Sequence, residues 1–232
     1  MLLTETCPEE GWDALAALPI GERDARLLTL REWMFGRALT GMSWCPACGA
    51  SAELSFSVTD VRGGGEPPSE TASAAGSAEG PTATPAFAVE AAGWEVRFRL
   101  PTSADLAVLD GAETEEVARE RLLERCLLSA RRNGKSRPVH RLPARVIEEV
   151  VRRMGEADPQ ADARTTVSCP DCAHQWEATF DIVSFLWAEI EAWARRTLHE
   201  VHLLASAYSW GEAEILSLSP RRRRLYVEMV SR

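Results

Sequence analysis

Apolar positions recur every three or four residues from Ile20 to Phe35, with Leu27, Leu28, Leu30, Met34 and Phe35 in helical register. That spacing predicts a helix, and Gly36 supplies its stop. The period changes to two in Glu53–Val58 and again in Trp94–Leu100, where Trp94, Val96 and Phe98 fall on one face. Such alternation is that of a half-buried strand. With Ser43–Cys48 and Phe87–Val89 read as strands too, a small antiparallel sheet is expected around Cys45 and Cys48.

Helical spacing returns in the middle of the chain. Thr102 and Asp105 after Pro101 form a capping-box start, Glu113–Ala130 carries Val117, Leu122, Leu123, Leu127 and Leu128, and Pro143 opens Ala144–Met154 before Gly155. A second strand pair is expected at Thr165–Ser168 and Gln175–Phe180. From Asp181, Ile182, Leu186, Ile190, Trp193, Val201, Leu204 and Tyr208 mark one long helix, with Trp187, Ala194, Leu198 and Ala205 as a second stripe. A helix apolar on two sides is expected to be packed on two sides. Ser209 before Glu212, and Ser219 before Pro220, open two short closing helices.

The predicted fold is therefore α+β, a small antiparallel zinc-ribbon-like sheet with mostly helical middle and C-terminal regions. One domain over residues 1–232 is expected. Its discontinuous sheet covers about 39–62, 86–100 and 164–180, around a helical insertion at 102–157 and before a helical region at 181–232. Residues 63–85 hold no Val, Ile, Leu, Met, aromatic or basic residue. They lack the apolar surface to offset ordering entropy, which predicts a disordered loop at a hairpin tip.

Composition narrows the function. An apolar fraction of 45% suits a packed core, and no run reaches the length of a membrane span. The first ten residues lack the pattern of a secretory signal, so a soluble, cytoplasmic protein is expected. A net charge of −9 argues against a general polyanion binder. The charge is uneven, however. Arg131–Arg145 contains six Arg or Lys residues and no acid, and Arg221, Arg222, Arg223 and Arg224 form a second basic run.

Six cysteines in a reducing compartment point to metal ligation or burial rather than disulfides. Four form matched pairs, Cys45-Pro-Ala-Cys48-Gly49 and Cys169-Pro-Asp-Cys172-Ala173, each flanked by predicted strands. A CxxC turn sets two thiolates on one edge of a tetrahedral ion, and two such turns close the shell around Zn²⁺. The closed set predicts a structural site made by Cys45, Cys48, Cys169 and Cys172, although 120 residues separate its halves. Two unrelated buried pairs or a redox CxxC are the alternatives.

Other candidates are weaker. His199 and His202 are three apart, where the HExxH signature needs four, so ordinary surface or packing histidines are expected instead of a metallohydrolase site. His174 is expected beside the metal shell or on the surface rather than as a ligand, and Cys126 as a small buried hydrophobe. Four arginines early in a helix oppose its dipole, which suggests an acidic partner surface. Together with the basic run Arg131–Arg145, the same arginines keep open a zinc-ribbon regulator that binds nucleic acid. No phosphate loop or catalytic constellation emerges, so no enzymatic activity is expected.

Several segments resemble one family. They are Arg99-Leu100-Pro101-Thr102-Ser103-Ala104-Asp105-Leu106; the Cys169–Cys172 knuckle with Trp176, Phe180 and Asp181; Leu186–Ile190; Val201–Ala205; and Tyr208-Ser209-Trp210-Gly211-Glu212 through Leu216, then Arg222–Tyr226. Together they resemble the zinc-knuckle baseplate and hub-assembly proteins of contractile-tailed phages and contractile injection systems. Ser209 stands where the Tyr-Gly-Trp form of that pattern has glycine. The resemblance implies a non-enzymatic part or assembly factor of a tail-like particle, binding other baseplate proteins. Tyr208, Trp210, Arg221–Arg224 and Tyr226 are the expected partner surface.

Overall fold

The computed structural model describes residues 2–7, 9–62, 85–109, 111 and 114–231. The fold is α+β with small antiparallel sheets. It divides into two compact units, residues 1–181 and 182–232.

In the first unit, α1 (Leu2–Thr6), α2 (Trp12–Ala16) and α3 (Ile20–Phe35) precede the hairpin of β1 (Ala38–Trp44) and β2 (Ser51–Ser57). Helix α3 has the expected bounds, and Gly36 ends it at φ +87°, a conformation that glycine adopts without a Cβ penalty. A single turn, α4 (Val58–Val61), follows β2. Next come β3 (Ala86–Ala91), β4 (Trp94–Arg99), α5 (Ser103–Ala107), α6 (Glu115–Cys126), β5 (Leu127–Arg132), β6 (Lys135–Arg137) and α7 (Ala144–Ala157). A second hairpin, β7 (Arg164–Ser168) with β8 (Gln175–Thr179), closes the unit.

Three expectations change here. The helix read over 113–130 stops at Cys126, and Leu127–Arg132 is a strand between β4 and β6. Leu127 and Leu128 continue a helical spacing, but Asn133-Gly134 at φ +51° and +73° forms a two-residue hairpin turn after them. That dipeptide was the legible signal. Strands β3 and β4 pair with each other and with β5, in a four-stranded sheet separate from β1–β2, so the expected sheet around the first knuckle holds only β1 and β2. The insert therefore does not sit at a hairpin tip, since β2 and β3 flank it in different sheets. Its predicted disorder concerns residues outside the described ones, apart from Pro85.

The four-stranded sheet carries a hydrophobic core. Trp94, Val96 and Phe98 share one face of β4, as the alternation predicts, and pack with Val89, Ala130, Leu142, Val146 and Val150. Val146 and Val150 are one helical turn apart on α7 and fully buried. Each such side chain removed from water contributes about 1.5–3 kcal/mol.

Where β4 ends, Asp105 gathers a polar knot. Its carboxylate accepts from Arg99 at 2.5 and 2.8 Å, from Arg125 Nε at 2.8 Å, and from Thr102 N and Oγ1 at 3.0 and 2.9 Å. Burial would raise its pKa, but the two guanidiniums and Thr102 outweigh that and hold it well below the usual carboxylate range. The predicted capping pair Thr102/Asp105 thus also joins β4, α5 and α6.

The second unit holds α8 (Ile182–Tyr208), α9 (Glu212–Ser217) and α10 (Pro220–Val230), with α9 and α10 both against α8. The expectation that α8 is packed on two sides changes. Trp187 and Leu198 of the second stripe are each 60% exposed.

Candidate metal centre

The two hairpins are built alike. In the first, Trp44 pairs with Ser51 and the six residues between them form the knuckle; in the second, Ser168 pairs with Gln175 around another six. Cys45 N–H donates to Ala50 O at 2.9 Å and Gly49 N–H to Cys45 O at 2.9 Å; Cys169 N–H donates to His174 O at 2.9 Å and Ala173 N–H to Cys169 O at 3.0 Å. The residue after the second cysteine has positive φ in both, +73° at Gly49 and +59° at Ala173. Glycine meets that conformation freely at position 49, whereas Ala173 holds it at the cost of its Cβ.

Chain contacts bring the hairpins together. Phe56 and Phe180 meet edge to face at 5.6 Å, and Gln160 Nε2 donates to Val61 O at 3.1 Å. All four knuckle sulfurs then lie within 4.8 Å of one another. Cys45 Sγ faces Cys172 Sγ at 3.7 Å, and Cys48 Sγ faces Cys169 Sγ at 3.6 Å. A disulfide needs sulfurs about 2.05 Å apart, so these are four free thiols. A zinc–sulfur length of about 2.3 Å in a tetrahedron puts its sulfurs about 3.8 Å apart, close to both measured pairs.

Ionisation favours the same reading. The first cysteine of each knuckle is buried and the second exposed. Burial pushes the Cys45 thiol up, but the backbone N–H groups of Cys48 and Ala47 and the adjoining thiols outweigh it and bring it down to about 7. The Ala50 N–H favours a Cys48 thiolate, yet the sulfurs of Cys172 and Cys169 push that group up to about 12. Cys172 is also raised, although the His174 N–H favours its thiolate. One thiolate forms readily, and further negative charge at this spacing needs a cation.

The four thiols satisfy a metal's donor set without His174, whose ring stacks on Trp176 at 6.2 Å. Among the described residues, His199 and His202 belong to no group of three or more metal-capable side chains, and both are exposed. Cys126 is buried as expected, and burial pushes its thiol up to about 11. Cys7, half-buried, stands apart from the cluster.

The expected partner residues all lie in the second unit, and some are turned inward. Tyr208, Trp210 and Tyr226 pack on one another, with ring centroids 4.8, 5.0 and 5.9 Å apart. Ser209 takes φ +58° at the end of α8, with its N–H donating to Ala205 O, so the position that holds glycine in the resembling pattern has the left-handed backbone glycine favours. Arg223 is buried and its Nε donates to Glu200 at 2.6 Å. Arg221, Arg222 and Arg224 are exposed. The four arginines are consecutive in the chain, but helical phase separates buried Arg223 from its exposed neighbours.

No helix among the described residues is long and apolar enough to cross a membrane. No curated protein and no solved structure matches the chain. A family model described as T4 bacteriophage base plate protein matches residues 2–187. That range takes in both knuckles, the four-stranded sheet and the start of α8, and leaves the Tyr208–Tyr226 cluster outside it. By this match over most of its length, the chain belongs to the T4 bacteriophage base plate protein family.

Proposed function

We propose that the chain is a non-enzymatic structural or assembly protein of a contractile, phage-tail-like baseplate, stabilised by one zinc ion and binding other baseplate proteins. Family membership supports the baseplate role. The single observation that carries the zinc reading is the convergence of four thiols from two equivalent knuckles within 4.8 Å.

Cys45, Cys48, Cys169 and Cys172 would hold the ion. Bound there, it supplies charge neutralisation and a cross-link, and four thiolates leave no coordination position open for a substrate or water. The buried Cys45 and Cys169 set the depth of the site, and the backbone N–H groups of Cys48 and Ala47 favour a Cys45 thiolate. Such a clasp joins segments 120 residues apart and makes the stability of the first unit depend on metal.

In this reading the second unit faces partners through Arg221, Arg222 and Arg224, while Tyr208, Trp210 and Tyr226 brace α10 against α8. The chain is carried into the particle. The test is gradient sedimentation of baseplate complexes with metal analysis of the chain. Co-sedimentation with about one zinc per chain supports the proposal. A chain that stays at the top of the gradient rejects the assembly role, and one purified without zinc rejects the clasp.

A further inference from the structure

The outward face of α10 carries more information than its charge. Arg223, Tyr226, Val227 and Val230 point inward or are half-buried, whereas Arg221, Arg222, Arg224, Leu225, Glu228 and Met229 are exposed. Leu225 is 49% and Met229 64% exposed, one helical turn apart. Arg221, Arg224 and Leu225 line a shallow recess.

This face is electrostatically unresolved. Arg223 has an ion-pair partner, Glu200, at 2.6 Å. Among the described residues Arg221, Arg222 and Arg224 have none, and Glu228 makes no ion pair with Arg224 one turn earlier. Three cations at the start of the helix and one acid near its end are each on the wrong side of the dipole. Residues 182–232 contain seven arginines and six glutamates, so this unit is about neutral while residues 1–181 carry the chain's negative charge. The arginines are thus a local feature in an acidic protein.

Composition separates the kinds of partner. A nucleic-acid surface is built from many cations and gains little from exposed aliphatic side chains. Arg and Met are residues that protein interfaces enrich, and here they stand beside an exposed leucine.

We propose that this face of α10 docks an acidic amphipathic segment of another protein, its carboxylates meeting Arg221, Arg222 and Arg224 while its apolar side chains cover Leu225 and Met229. The assignment rests on the baseplate reading only for where the partner is found.

Fluorescence anisotropy with a labelled helical peptide bearing a glutamate stripe beside a leucine stripe tests the face. A same-composition scrambled peptide and a duplex DNA serve as competitors. The designed peptide is expected to bind, and R221E/R222E/R224E and L225S/M229S are each expected to weaken binding roughly tenfold, because each removes one half of the contact. Both substitution sets lie at exposed positions, and either alone decides if the other misfolds. Unchanged affinity in the folded variants, or equal competition by scrambled peptide or DNA, overturns the proposal. In baseplate sedimentation, wild type and both variants entering equally well would reject this face and leave the assembly role standing. Wild type failing to enter would reject the assembly role itself.

Discussion

The carboxylate of Asp158 accepts the backbone N–H of Gly21 at 2.9 Å, capping the first turn of α3 from the segment that follows α7, 137 residues later. The approach requires glycine. A Cβ at Gly21 would stand 1.8 Å from Asp158 Oδ1, 2.7 Å from its Cγ and 2.8 Å from the backbone N of Ala161. Rotating Asp158 away relieves the first two contacts and leaves the third.

Gly21→Ala is therefore expected to destabilise the first unit by about 2–3 kcal/mol, since overpacking against backbone is relieved only by moving α3. Urea unfolding measures it. A midpoint equal to that of the wild type would show that the two segments separate freely.

At the clasp, Cys45→Ser and Cys169→Ser are each expected to abolish stable zinc binding and lower the melting temperature of the first unit, because each removes a buried ligand. Chelation of the wild type should give the same shift. The Phe56–Phe180 contact, and the hydrogen bond from Gln160 before β7 to Val61 after β2, persist without metal, so loosening rather than complete unfolding is expected. Metal analysis with calorimetry decides, and an unchanged melting temperature after chelation would end the structural role.

Backbone strain gives a third pair of outcomes. Ser209 and Ala173 hold φ of +58° and +59°, so Ser209→Gly and Ala173→Gly should each stabilise by up to about 1 kcal/mol. Gly49→Ala should cost about 1 kcal/mol through φ alone, because its Cβ would meet nothing within 4 Å. Opposite signs in thermal unfolding would remove the strain account.

Acid should act through Asp105. Its folded-state pKa is depressed, so its contribution is complete above the unfolded value near 3.8 and is lost as pH falls below that. Asp24 and Asp158 are raised, chiefly by burial, and oppose the trend. The comparison is therefore between wild type and Asp105→Asn. The variant should lose about 3 kcal/mol at neutral pH, leaving Arg99 and Arg125 without their carboxylate, and the gap should narrow between about pH 4 and 2. Parallel stability curves for the two proteins over that range would refute this account.

Local order in the chain was largely legible. Periodicity located α3, β2, β4, α7, the long α8 and the second knuckle hairpin, and paired spacing picked out the four cysteines whose sulfurs converge; the strand read at Ser43–Cys48 instead runs Ala38–Trp44, because Cys45–Cys48 turn back as the knuckle. It misplaced Leu127–Arg132 because an apolar spacing compatible with a helix also served a strand once β4 and β6 flanked it. It also could not separate Arg223 from its neighbours, since inward and outward positions on α10 depend on where α8 lies.

By itself, the sequence determined which backbone periods each segment prefers and which thiols stand ready as pairs, because both depend on residues a few positions apart. Only the tertiary structure decided that β3 and β4 join β5 rather than the first knuckle, that Cys45 faces Cys172, and that Asp158 caps α3. Those outcomes depend on competition for burial and hydrogen bonds between segments more than a hundred residues apart in some cases, and local patterning carries no record of that competition.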